Sequence, residues 1–197
     1  VQINSLYCQN SKGKFESIYL ESLVQIMMTI GRFANDLLVF TMNEFQYFSV
    51  NESLTTGSSI MPQKKNLDVL ELVRANMKVV ANNQSLVKNL ATGLLSGYNR
   101  DTQLMKRPIV ESISIVLDSL QVMQLVIEDL IPNKKQLESK IPVEILAADK
   151  ALELVKLKNI TFRDAYKISF GLLPKGKINW LVELNKKVSL GSAGNLG

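Results

Sequence analysis

The sequence predicts an all-α protein built around a bundle of long helices, and three observations carry that prediction. Between Phe15 and Phe48 there is no proline and a single glycine, Gly31, while apolar residues recur at three- and four-residue intervals. Two further segments, ending near Leu95 and Ile131, show the same period. No turn dipeptide joins two alternating strands, and five prolines and ten glycines in 197 residues are too few for a loop-rich fold.

The first helix is predicted over 15–48, with Leu20, Leu23, Val24, Met27, Ile30, Phe33, Ala34, Leu37, Leu38 and Thr41 on its apolar face. At 1.5 Å per residue it is a rod of about 50 Å, which needs partners of comparable length. Asn51 to Met61, rich in Ser and Thr around Gly57, reads as a loop. The second helix starts between Pro62 and Asp68, where Asp68 and Glu71 have capping-box spacing, and runs to about Leu95, where Gly93 and Gly97 stop it. Its buried stripe is Leu70, Val73, Met77, Val80 and Ala81.

The third helix starts between Asp101 and Ile109 and carries Ile113, Val116, Leu117, Leu120, Met123, Leu125 and Ile127 as far as Ile131, before Pro132. Beyond Pro142, helices are predicted near 143–156 and 162–170, the second capped by Thr161. The expected organisation is a helical-bundle domain over 1–140 and a small C-terminal helical unit over 141–197, ending in a mobile tail from Gly191.

With 46% hydrophobic and 21% charged residues, the chain falls among ordinary globular proteins rather than disordered or fibrous ones. Cys8 is the single cysteine and there is no histidine, so a thiolate–imidazole zinc site and every unaided histidine general base are excluded; a metal-free, cytoplasmic protein is expected. The net charge of +5 is spread along the chain without a basic run, which argues against a nucleic-acid partner. No uninterrupted apolar run approaches a membrane span, so no membrane partner is expected. The chain begins at Val1 and enters an amphipathic stretch almost at once, an arrangement expected of the later part of a longer protein.

The chemistry concentrates ahead of the second helix. Thr55-Thr56-Gly57-Ser58-Ser59-Ile60-Met61-Pro62-Gln63-Lys64-Lys65-Asn66 places hydroxyls, a glycine and two lysines next to a helix start. Gly57 admits backbone conformations closed to other residues, and successive amides there can face an anion. Lys64 or Lys65 can pair with a carboxylate, and Ser58 or Ser59 lies among positive groups that stabilise its alkoxide. This chemistry suits removal of a proton beside a carboxylate. The competing interpretation is a mobile Ser/Thr loop with a solvated lysine pair.

The order of residues decides between them. Gly57 through Asn66 closely resembles the signature of the fumarase/aspartase superfamily, and Gln63-Lys64-Lys65-Asn66 after Met61-Pro62 resembles its argininosuccinate lyase branch. Asp68 with Leu70-Glu71-Leu72-Val73-Arg74, Gly97-Tyr98-Asn99-Arg100-Asp101 with Gln103 and Lys106, Phe162-Arg163-Asp164-Ala165-Tyr166, and Asn4-Ser5-Leu6 resemble further segments of the same family. Leu67 stands where the family usually has proline, and Arg107-Pro108 where an acidic residue commonly follows the lysine.

The resemblance implies a homotetramer with a central helical bundle and composite active sites, cleaving argininosuccinate to arginine and fumarate without a cofactor. It implies Ser58 as the residue that removes the proton and Lys64 as the group that steadies the developing charge. Asn66, Tyr98, Gln103 and Lys106 become substrate-binding residues. Gln103 and Lys106 lie three apart, so one helical turn presents an amide and a cation on one side. The family's catalytic histidine lies upstream of the portion represented, so the chain alone is expected to be inactive. The alternatives are another lyase of the superfamily, such as adenylosuccinate lyase, fumarase or aspartase, or a non-catalytic, crystallin-like helical protein.

Overall fold

The computed structural model describes residues 3–57, 65–174, 176 and 178–196. The chain divides into two compact units, Val1–Asn133 and Lys134–Gly197. In the first unit the helices are α1 (Ser5–Asn10), α2 (Lys14–Phe40), α3 (Asp68–Leu90) and α4 (Lys106–Glu128). The protein is all-α, and its only sheet-like pairings among the described residues are two-residue ladders and one isolated bridge.

Side chains set the directions of the three long helices. Asn83 Nδ2 on α3 donates to Ser112 Oγ on α4 at 3.2 Å, and one heptad earlier on α3 Asn76 reaches Ser119, one heptad later on α4, at 3.5 Å. α3 and α4 therefore run antiparallel. Gln84 on α3 donates to Ser17 on α2 at 3.3 Å and Arg74 to Asn35 at 3.2 Å, so α2 and α3 are antiparallel too. Around these pairs the apolar faces close in two clusters. One contains Leu20, Leu23, Val24, Met27, Val80, Val87, Met105 and Val116; the other contains Ala34, Leu37, Leu67, Leu70, Val73, Met123 and Val126.

The helix ends differ from the periodicity in instructive ways. α2 stops at Phe40, ahead of the expected Phe48, although neither proline nor glycine intervenes. Thr41 Oγ1 donates to the Leu37 carbonyl at 2.7 Å, Gln46 adopts a left-handed φ of 50°, and Tyr47 donates its amide back to the Phe40 carbonyl. Phe40 then packs against Tyr47 and Phe48, so aromatic residues that look like helix continuation fold back onto its end. α3 ends at Leu90, with Gly93 at a φ of +72° turning the chain.

The capping box expected from Asp68 and Glu71 does not form. Leu67 occupies the N-cap position, and the Asp68 carboxylate instead accepts the Thr56 hydroxyl. On α4, Pro108 lies in the first turn after a 3₁₀ segment, Arg100–Met105, where a missing amide leaves no interior helical bond unmade. Ser112, Ser119 and Val126 of α4 are buried, whereas Leu117, Leu125 and Ile127, expected in its core stripe, are exposed. Averaged over 18 residues, the stretches Lys14–Phe40 and Arg100–Glu128 are apolar enough to cross a membrane by length and composition, which a search for uninterrupted apolar runs misses.

The second unit holds α5 (Lys134–Lys140), α6 (Ala147–Lys158), α7 (Phe162–Ser169) and α8 (Trp180–Asn185). Thr161 caps α7, its hydroxyl oxygen accepting the Asp164 amide at 3.3 Å, and Ala151, Leu154 and Ala165 form its small core. Lys150 and Glu153 meet at 2.9 Å; their hydrogen bond raises the ammonium above its usual pKa and lowers the carboxyl below its own. α5 and α8 were not anticipated. Of the tail expected from Gly191, the described residues 191–196 include Asn195, whose Nδ2 donates to the Val188 carbonyl at 2.9 Å, and Ser192, whose Oγ donates to that of Lys187 at 2.6 Å.

Candidate active site

Two groups of site residues were expected; of their described members, Asn66 lies just before α3, and Tyr98, Gln103 and Lys106 lie beyond its other end. The first surrounds the segment from Gly57 to Asn66. Thr56-Gly57 (β2) pairs antiparallel with Lys65-Asn66 (β3), in the register Thr56 to Asn66 and Gly57 to Lys65. Ser58 and Lys64, the expected catalytic pair, lie outside the described residues. Their flanks are well anchored. Asn51 caps the 3₁₀ turn Glu52–Leu54, its side chain accepting the Ser53 amide at 3.2 Å, and its own amide donates to Asp129. Phe48-Ser49 (β1) pairs with Ile131-Pro132 (β4), and Val50 and Leu54 pack against the second apolar cluster. Residues 51–57, expected to be plain loop, are thus a tethered stem.

Asn66 is half-buried at this stem, immediately before α3. Leu67, in place of the family's proline, has only 8% of its surface exposed and packs with Ala34, Leu37 and Leu70. Burial in this cluster anchors the residue that immediately precedes the first turn of α3.

The second group lies beyond the C-terminal end of α3. Gly97, at a φ of +116°, turns the chain into Tyr98 and the 3₁₀ segment that leads to α4. Gln103 Nε2 donates to the Tyr98 hydroxyl at 3.2 Å. The Lys106 amide bonds the Gln103 carbonyl, and Gln103 and Lys106 are both exposed one turn apart. Tyr98 and Gln103 therefore form one exposed polar pair, a phenol and an amide, with the exposed Lys106 one turn further along the chain. Beside it is a polar-lined cavity of about 220 Å³ bordered by Gln9, Asn10, Lys12, Ser96, Gly97 and Thr102.

Asn66 does not join this group. α3 has 23 residues, so its two ends are about 35 Å apart at 1.5 Å per residue, several times the reach of a small substrate. Among the described residues no three His, Cys, Asp or Glu side chains converge where a metal ion would bind. Sequence reasoning missed the contribution of Gln9–Lys12, because contacts across more than eighty residues leave no periodic signal.

A family model described as "Lyase" matches residues 17–81. The chain is 42% identical to an argininosuccinate lyase of Thermotoga neapolitana over 85% of this chain and 42% of that protein. It is 37% identical to the argininosuccinate lyase of Sorangium cellulosum over 100% of this chain and 45% of that protein. The chain thus spans less than half the length of these curated relatives. Among solved structures, a fumarate lyase:delta crystallin from Brucella melitensis superposes with a TM-score of 0.67 at 18% identity, over 97% of this chain and 43% of that one. An EDDS lyase in complex with formate superposes with a TM-score of 0.61 at 22% identity, over 82% and 31%. These structural likenesses establish a shared fold.

Proposed function

Because the chain belongs to the fumarase/aspartase superfamily of lyases, we propose that it serves the cofactor-free cleavage of argininosuccinate to arginine and fumarate. The observation that carries this reading is the occurrence, in one chain, of the Gly57–Asn66 signature, whose described flanks Thr56-Gly57 and Lys65-Asn66 pair, and of a second site group in which Gln103 is hydrogen-bonded to Tyr98. The similarity to argininosuccinate lyases over most of the chain supports the choice of substrate.

In this reading Ser58 takes the proton beside a substrate carboxylate, and Lys64 offsets the negative charge that accumulates as it leaves. Asn66 hydrogen-bonds the substrate from the signature end. Tyr98, Gln103 and Lys106 bind it from the other group. The separation across α3 means that one small substrate cannot touch both Asn66 and the Tyr98 group of the same chain, so the proposed site combines ends supplied by different copies in a homotetramer. The resemblance assigns the acid–base partner to a histidine; these 197 residues contain none, so in this reading it is supplied from outside them.

The test is product analysis on the protein expressed from its complete reading frame. Arginine and fumarate should form in equal amounts from argininosuccinate. Ammonia from aspartate, or AMP from adenylosuccinate, would instead identify a different lyase of the superfamily. Ser58→Ala should lower kcat by at least about 10²-fold, the usual scale for a positioned acid or base, with Ser59→Ala costing far less. Lys64→Ala should lower it by about 10²–10³-fold through loss of charge stabilisation. The 197 residues alone should release no fumarate; Ser58-dependent release by them would overturn the incomplete-site reading.

A further inference from the structure

Tyr98 is held by residues far upstream of it in sequence. The peptide groups flanking Gly97 are gripped on both sides: Asn10 Oδ1 accepts the Gly97 amide at 2.8 Å, and Gln9 Nε2 donates to the Gly97 carbonyl at 3.3 Å. Asn99 Nδ2 donates to the same carbonyl at 3.3 Å and to that of Leu95 at 2.8 Å. The Lys12 ammonium lies over the Tyr98 ring, 5.1 Å from its centroid, while Gln103 donates to the hydroxyl.

A glycine at a φ of +116° has wide backbone freedom, and the residue after it inherits that freedom unless the peptide is pinned. Here both polar groups of Gly97 are pinned by α1, and the ring that follows is covered on one face by a cation from the α1–α2 connection. Tyr98 is 61% exposed, so apolar packing does little to orient it. Polar contacts from Gln9, Asn10 and Lys12 provide the orientation instead.

We propose that Gln9, Asn10 and Lys12 are positioning residues for Tyr98, with Asn10 the principal one, setting the direction in which the phenol meets substrate. This inference rests on the argininosuccinate reading for the identity of the substrate and on the Gly97 contacts for the positioning itself.

Two measurements separate these supports. In the 197-residue chain, Asn10→Ala should accelerate hydrogen exchange of the Gly97 amide while amides within α3 keep their protection; unchanged exchange at Gly97 would refute the grip. In the protein expressed from its complete reading frame, Asn10→Ala should raise KM for argininosuccinate about three- to tenfold, the scale set by one lost hydrogen bond, with kcat within about twofold. Asn10→Asp, which keeps an acceptor for the Gly97 amide, should restore KM most of the way. In a Tyr98→Ala background, Asn10→Ala should cost nothing more. Equal additive losses in both backgrounds, or a fall in kcat that Asn10→Asp does not rescue, would overturn the positioning role. If the unsubstituted protein does not cleave argininosuccinate, the substrate reading falls, and Gly97 exchange still decides whether the grip exists.

Discussion

At the residue scale, single atoms decide how the ends of the bundle meet. Gly13 precedes α2 with a φ of +89°, and a Cβ built there would lie 2.5 Å from the Ala91 Cβ and 2.9 Å from the Met105 methyl. The start of α2, the end of α3 and the entrance to α4 therefore converge on a position without a side chain. Gly13→Ala should combine left-handed strain with overpacking and destabilise the first unit by about 2–4 kcal/mol, read from denaturant melts. Gly97→Ala differs, since nothing lies within 4 Å of its added Cβ and only backbone strain acts. The residue types of the candidate site were legible in the sequence, because Tyr98, Gln103 and Lys106 sit within nine positions of one another. Their support was not: a glycine states that a turn is possible, but not that Asn10 will bind it.

At the element scale, polar pairs set the register of helices whose apolar faces alone are ambiguous. Asn83 and Ser112 are buried between α3 and α4, and Asn76 and Ser119 repeat the pairing one heptad away. Sliding one helix by a residue would leave these groups without partners, a cost that shape alone does not impose. Asn83→Ala should destabilise by about 1–3 kcal/mol by stranding the Ser112 hydroxyl, whereas adding Ser112→Ala should cost less than the sum of the single changes; thermal melts of the cycle read the coupling. The three long helices were legible from their 3.6-residue period, and Leu20, Met27, Leu70 and Val80 are buried as it predicts. Their ends were less so. The stop after Phe40 comes from aromatic side chains folding back, a tertiary event indistinguishable in the sequence from more helix. On α4, serines face the core because they pair with asparagines of α3, so a hydrophobicity pattern reads the wrong side as buried.

At the scale of the whole molecule, the long helices retain apolar surface that one chain does not cover. On α3, Leu72, Val79 and Leu86 recur every seven residues and are exposed by 62%, 40% and 42%. On α4, Leu120 and Ile127 repeat the spacing, with Leu117 beside them. Heptad spacing on an exposed face suits packing against another long helix at a shallow crossing angle. The proposed site agrees with this: about 35 Å of α3 separates Asn66 from the Tyr98 group, and in the reading proposed above a second copy brings the complementary end to each. The expectation is that the chain self-associates, with sedimentation equilibrium returning a mass several times that of the monomer. Leu72→Glu with Leu86→Glu places charges on the α3 stripe, where the single chain has room for them. The pair should shift the population towards monomer while the far-ultraviolet dichroism stays helical. A well-behaved monomer before any substitution would instead mean that these stripes are solvent-facing surface. The two ends of α3 would then have no route to a common substrate.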